Sequence, residues 1–289
     1  MKVDYECAPC MLRQASEAIE HAVDDNETRM DITLKIIEYM NKNFKKNTRS
    51  NKLGTDMHHE IMKLTGNNDP YKNLRQQGNE VALKLFPKIE QLLKDDPTLE
   101  NYVQAAVVGN IIDFGALKQD TNMEELIKKQ IKQPPKINDV QKLDEDLKNA
   151  ENILYLTDNG GEIVFDKLLL KKIKQDYDVN IILALKENPI LNDAIIQDAL
   201  DLELDKYATL ISTGAASVGV VEEYISDELK DLMETSDLII SKGMGNYEGL
   251  TEMKVTTPVY FLLNTKCQVI SNEIGVPLNS NIVKKTDLS

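Results

Sequence analysis

The hydrophobic period of this 289-residue chain changes near residue 150, and that change restricts the folds open to it. Before it, apolar residues recur at helical spacing. Met11, Leu12, Ala15, Ala18, Ile19, Ala22 and Val23 line one face of an amphipathic helix, and Ile32, Ile36, Ile37 and Met40 continue the period in a second. Asp69-Pro70 and Asp96-Pro97 each set a capping acid before a proline, a helix start signal. Pro87 is expected to end or kink the helix that begins at Asp69-Pro70. After the change, short β-rich runs take over at 153–156, 179–185, 208–212, 238–241 and 259–263, with helical spacing between them. Strands apolar on both faces, alternating with helices, indicate βαβ units and a buried, mostly parallel sheet. The expected organisation is a helical N-terminal domain over 1–148 and an α/β domain over 149–289, with Gln133-Pro134-Pro135-Lys136 as linker.

Charge narrows the partners. The 34 basic and 48 acidic residues leave a net charge of −14, which argues against nucleic acid and anionic membrane surfaces. A phosphate ligand would need a local cluster of cations. No apolar stretch approaches the ~18 residues of a membrane span. The start, Met1-Lys2-Val3-Asp4-Tyr5-Glu6, has no apolar signal segment, and three cysteines fit a reducing compartment, so a cytoplasmic location is expected.

In a parallel sheet, ligands bind outside the carboxyl ends of the strands. Here those ends carry polar, charged or glycine residues: Asp158-Asn159-Gly160-Gly161-Glu162, Lys186, Thr213-Gly214, Lys242-Gly243 and Asn264-Thr265-Lys266. Gly160 and Gly161 allow a tight turn and close approach of backbone N–H groups to an anion at the following helix. Asp158 and Asn159 offer hard oxygen ligands suited to magnesium or manganese, and Asp193 could add a third. The same residues also read as a strand-to-helix turn with caps. Lys186, Lys242 and Lys266 each follow a strand and supply point charges for phosphate, although a lone strand-end lysine is ordinarily just solvated. Asn110 and Asp113, at the end of a helix, could face a cleft between the halves. Cys7 and Cys10 form a CxxC at a helix start, where a lowered thiol pKa would suit a second metal or redox chemistry; a pair of ordinary thiols is the plainer alternative.

Taken in order, DNGGE (158–162), Asn192-Asp193, Ser241-Lys242-Gly243-Met244-Gly245-Asn246 and Thr265-Lys266 resemble the damage-control phosphatase family, formerly domain of unknown function 89. CxxCxxRQ (Cys7, Cys10, Arg13, Gln14), Asp69-Pro70-Tyr71 and the GNxxD element (Gly109, Asn110, Asp113) are similar to its prokaryotic, CxxC-containing branch. The resemblance implies a helical region packed on a doubly wound α/β domain. It implies a metal-dependent phosphatase of the house-cleaning type acting on small phosphorylated metabolites, with one divalent ion (Mn, Mg, Co or Ni) on Asp158, Asn159 and Asp193. Asp158, Lys242 and Lys266 would be the catalytic set. Gly160, Gly161, Glu162, Lys186, Asn110, Asp113 and Asn246 would bind phosphate or substrate. Eukaryotic branches carry Arg-Thr-x-Lys where this chain has Leu263-Asn264-Thr265-Lys266, so the arginine is missing. Two alternatives remain: a carboxyl methyltransferase using the same sheet edge, for which there is no glycine-rich nucleotide loop, and a non-enzymatic metal or nucleotide sensor built on the cysteines.

Overall fold

The computed structural model describes residues 1–111 and 123–289. Its centre is a seven-stranded sheet: β1 (Ile137–Asn138), β2 (Asn152–Leu156), β3 (Asn180–Leu185), β4 (Thr209–Ser212), β5 (Leu238–Lys242), β6 (Val255–Asn264) and β7 (Asn281–Leu288). The strand order is β1-β7-β6-β5-β2-β3-β4, parallel throughout except for β6 with β7. From β2 the chain winds outward through β3 and β4, returns to the centre with β5, and winds the other way. The sheet is thus doubly wound, with its topological switch between β2 and β5.

Alternation along the strands sorts residues between two cores. Ile153, Tyr155, Leu183, Leu185, Leu238, Ile240 and Leu262 enter one core. It is shared with α4 (Lys72–Asp95), α5 (Leu99–Ile111), α6 (Met123–Ile131), α7 (Val140–Leu147) and α8 (Glu162–Asp176). Leu154, Leu156, Ile239, Phe261 and Leu263 enter the other, against α10 (Asp227–Thr235), α11 (Gly243–Leu250) and α12 (Gln268–Ile274). A third core joins α1 (Cys7–Ala22), α2 (Asn26–Asn43) and α3 (Ser50–Thr65). The short α9 (Ile196–Asp201) follows β3.

All five sequence runs are strands, and the structure adds β1 and β7. β1 and α7 fall before residue 149, yet β1 pairs with β7, and Val140, Leu143 and Leu147 lie in the same core as β2. Pro87 does not end its helix: α4 runs unbroken from Lys72 to Asp95. Pro87 is exposed and so is Leu83, whose carbonyl the proline ring leaves without its i+4 donor, so water can satisfy that group.

Candidate active site

The loop after β2 and the segment after β3 are zipped together beside the switch point. Asn159 and Asp193 form an isolated antiparallel bridge. The Ala194 N–H donates to the Asp158 carbonyl (2.8 Å), and the Gly160 N–H donates to the Asn192 carbonyl (2.8 Å). That pattern makes Asn159 and Asp193 a non-hydrogen-bonded pair, the narrow kind, with Cα atoms about 4.5 Å apart and side chains projecting together.

Asp158, on the same loop as Asn159, is held in place from the other side of the switch, by the segment after β5. Its half-buried carboxylate lies against the Cα of Gly243, where a Cβ would overlap it. Gly243 also has φ +75°, so only glycine fits there on both counts. Asn246, almost fully buried, donates to the carbonyls of Thr157 (2.9 Å) and Lys242 (2.8 Å). It stitches the end of β2 to the first turn of α11, and so holds Asp158 against Gly243.

The charges of the site are unevenly compensated. Removal from bulk water raises the Asp158 carboxyl well above the usual range, and Glu162 and Asp193 push the same way against Lys242 and Lys266. Asp193 is pushed up to about 6 by burial, against the pull of Lys186. Lys186 is itself buried, with Nζ donating to the Gly219 carbonyl (3.0 Å) and 3.5 Å from Asp193 Oδ2. Two crowded carboxylates that resist ionisation, beside an amide, fit a divalent cation. The cation would favour the ionised forms, and the donors are hard oxygens. Among the described residues no three His, Cys, Asp or Glu side chains are arranged to hold a metal, so the set depends on Asn159. The Asn159 Nδ2 donates to Asp158 Oδ2 (2.7 Å) and Glu162 Oε2 (3.4 Å), which leaves Oδ1 on the opposite side of the amide.

The three strand-end lysines diverge. Lys242 is fully buried; its Nζ meets Glu162, Asp166 Oδ1 (2.7 Å) and the Ala106 carbonyl (3.0 Å). Burial opposes its charge, but Asp166 and Glu162 outweigh this and hold its pKa above the ordinary lysine value. The ammonium expected at a phosphate is thus spent on protein acceptors, and Glu162, 1% exposed, is its partner. Lys266 is exposed, yet near enough to Asp158 to favour its ionised form. It follows Thr265, which is fully buried and accepts from the Ser280 N–H (3.0 Å).

The backbone cradle expected at the two glycines is also engaged: the Gly161 N–H donates to Asn79 Oδ1 (2.6 Å), and the Gly160 N–H goes to Asn192. Asn79, with Arg75 beside it on α4, was not evident from sequence. The available signal was their i, i+4 spacing just after Asp69-Pro70-Tyr71. Asn110 and Asp113 lie outside the residues whose side chains the structure describes. Cys7 is buried and Cys10 exposed, and both are free thiols. The helix start does not lower the Cys7 pKa; burial pushes it up.

The damage-control phosphatase ARMT1-like domain matches residues 3–282. The chain belongs to that family. It is 38% identical to an uncharacterized protein of Methanocaldococcus jannaschii, over 99% of this chain and 96% of the relative. It is 36% identical to a damage-control phosphatase of Pyrococcus horikoshii over 96% of each. A third relative, a damage-control phosphatase of Archaeoglobus fulgidus, is 30% identical over 98% of this chain and 99% of its own. A crystal structure of a DUF89 family protein from Pyrococcus horikoshii superposes with TM-score 0.91 at 34% identity, covering 99% of each chain. The doubly wound sheet with its helical flank is therefore the fold of this phosphatase family. Among the described residues no helix is long and apolar enough to cross a membrane.

Proposed function

We propose that the chain hydrolyses phosphate esters of small metabolites with one divalent cation (Mn, Mg, Co or Ni) held by Asp158, Asn159 and Asp193. The observation that carries this reading is the narrow Asn159–Asp193 pair, zipped beside the Asp158 carboxylate at the topological switch. Relatives matched over nearly the whole chain bear the phosphatase name, which supports the same chemistry. A bound cation supplies Lewis-acid polarisation of a phosphoryl oxygen and neutralises charge developing on it. The side chains do the rest. Lys186 fixes Asp193 through Oδ2, and Glu162 turns the Asn159 amide so that its oxygen is free for the ion. Lys266, an exposed residue near Asp158, is the cation assigned to the remaining phosphate oxygens. The net charge of −14 favours small substrates over nucleic acid or membrane phosphates, and a cytoplasmic setting completes the reading.

The test is a screen of small phosphomonoesters against Mn2+, Mg2+, Co2+ and Ni2+. Hydrolysis should need added cation and fall more than about 100-fold in Asp158→Ala, the scale of losing a transition-state charge contact. Full activity in that variant would overturn the reading. So would a chain that turns over no ester and instead binds a methyl donor tightly without metal.

A further inference from the structure

We propose that Asn79, on the helical side of the molecule, is a positioning residue that sets the spacing of the two ligand-bearing loops, with Asp198 and Arg75 locking it in place. This extends the cation-site reading above and rests on it.

The geometry is symmetrical about the site. Asn79 Oδ1 accepts the N–H of Gly161, two residues beyond Asn159. Its Nδ2 donates to Asp198 Oδ1 (2.8 Å), and Asp198 Oδ2 accepts the N–H of Ile195 (2.9 Å), two residues beyond Asp193. One amide and one carboxylate thus span from the first loop to the second. The amide at position 79 suits this role because its oxygen accepts from a backbone N–H while its nitrogen donates to a carboxylate.

Arg75 makes the brace rigid. It is 3% exposed, it grips Asp69 through Nη1 (3.1 Å) and Nη2 (2.6 Å), and its Nε lies 3.4 Å from Asp198 Oδ2. Its Cγ occupies the space a Cβ at Gly160 would need, so its aliphatic stem backs the loop directly. None of these groups is among the proposed ligands. Their effect on the reaction runs through the separation of Asn159 and Asp193, as outer-shell partners act elsewhere.

The brace can be inverted without changing net charge. Asn79→Asp alone sets two carboxylates side by side. Asp198→Asn alone cannot both accept from Ile195 and leave an acceptor facing the Asn79 amide. In the double variant, the carboxylate now at position 79 accepts from Gly161 and from the amide now at position 198, whose oxygen accepts from Ile195. Three measurements on the full chain read the result: amide hydrogen exchange of the 158–163 segment, Mn2+ affinity by electron paramagnetic resonance without substrate, and kcat and KM on an aryl phosphate. Each single variant should exchange faster, bind Mn2+ about 10–100-fold more weakly and lose kcat more than it raises KM. The double variant should return to within roughly threefold of wild type. Singles that match wild type in exchange and Mn2+ affinity would overturn the proposal, as would a folded double variant no better than the singles. Should one single fail to fold, the other single and the double still decide. A wild-type chain that binds no Mn2+ overturns both this proposal and the cation-site reading. Mn2+ binding that is untouched in the singles overturns the positioning role alone.

Discussion

Lys242 and Lys266 sit at the ends of neighbouring strands and have opposite fates. Lys242 is the last residue of β5 and keeps that strand's alternation: Leu238, Ile240 and Lys242 point to one face, where α5 and α8 cover it. Lys266 lies two residues past the end of β6, beyond the pleat, and is exposed. The difference teaches that a charged residue at a strand end is assigned by parity before it is assigned by chemistry. A lysine in register with the apolar face becomes part of the interior and must be paired there.

The largest effect separating the two should come from Lys242→Met. It leaves Glu162 and Asp166 buried without their cation, a loss of about 3–5 kcal/mol on the scale of broken buried pairs. Urea unfolding would show it, and a variant as stable as wild type would mean the cluster is not held as described. Next is Lys266→Ala, expected to lower kcat/KM by roughly 10–100-fold on any ester the enzyme accepts, with Lys266→Arg retaining more. The same Lys266→Ala chain should unfold within about 0.5 kcal/mol of wild type, as a surface change does. If activity and stability fell together for both lysines, the contrast would be lost.

A subtler comparison is with pH. Burial raises Asp166 to about 6, against the pull of Lys242. Its folded pKa therefore exceeds its unfolded one, and the folded state holds the proton more tightly. That contribution to stability is present below the ordinary carboxylate range and fades as pH rises towards about 6. Asp166→Asn keeps a neutral group at all pH values. Melting curves should show wild type losing stability relative to this variant between about pH 4 and 6, then running parallel above. A constant difference across that range would place the Asp166 proton elsewhere.

Much of this was legible in the sequence. Four of the five apolar runs became β2, β3, β5 and β6 because they are mostly buried on both faces, which the lack of polar alternation already implied, while β4 is a half-exposed edge strand. β7 was hidden because only Ile282 and Val283 in its first half are apolar, while Lys284 and Lys285 follow; pairing with β6 decides it. β1 has two residues and no pattern to read. In the site, Asp158, Asn159 and Asp193 could be singled out because they follow strands. The roles of Glu162, Asn246 and Lys242 as supports could not, since burial and direction depend on packing across the sheet. Asn79 and Asp198 were silent because their bond spans 119 positions in the chain.

The backbone zipper between the loops after β2 and β3 has a consequence for how the site can loosen. Paired extended segments do not slide continuously; they are in step or displaced by a whole residue, and such a slip turns each side chain to the far side. A slip of one residue here would turn Asn159 and Asp193 apart and undo the proposed cation site. The single bridge that pairs Asn159 with Asp193 is thus the register mark on which the proposed site depends.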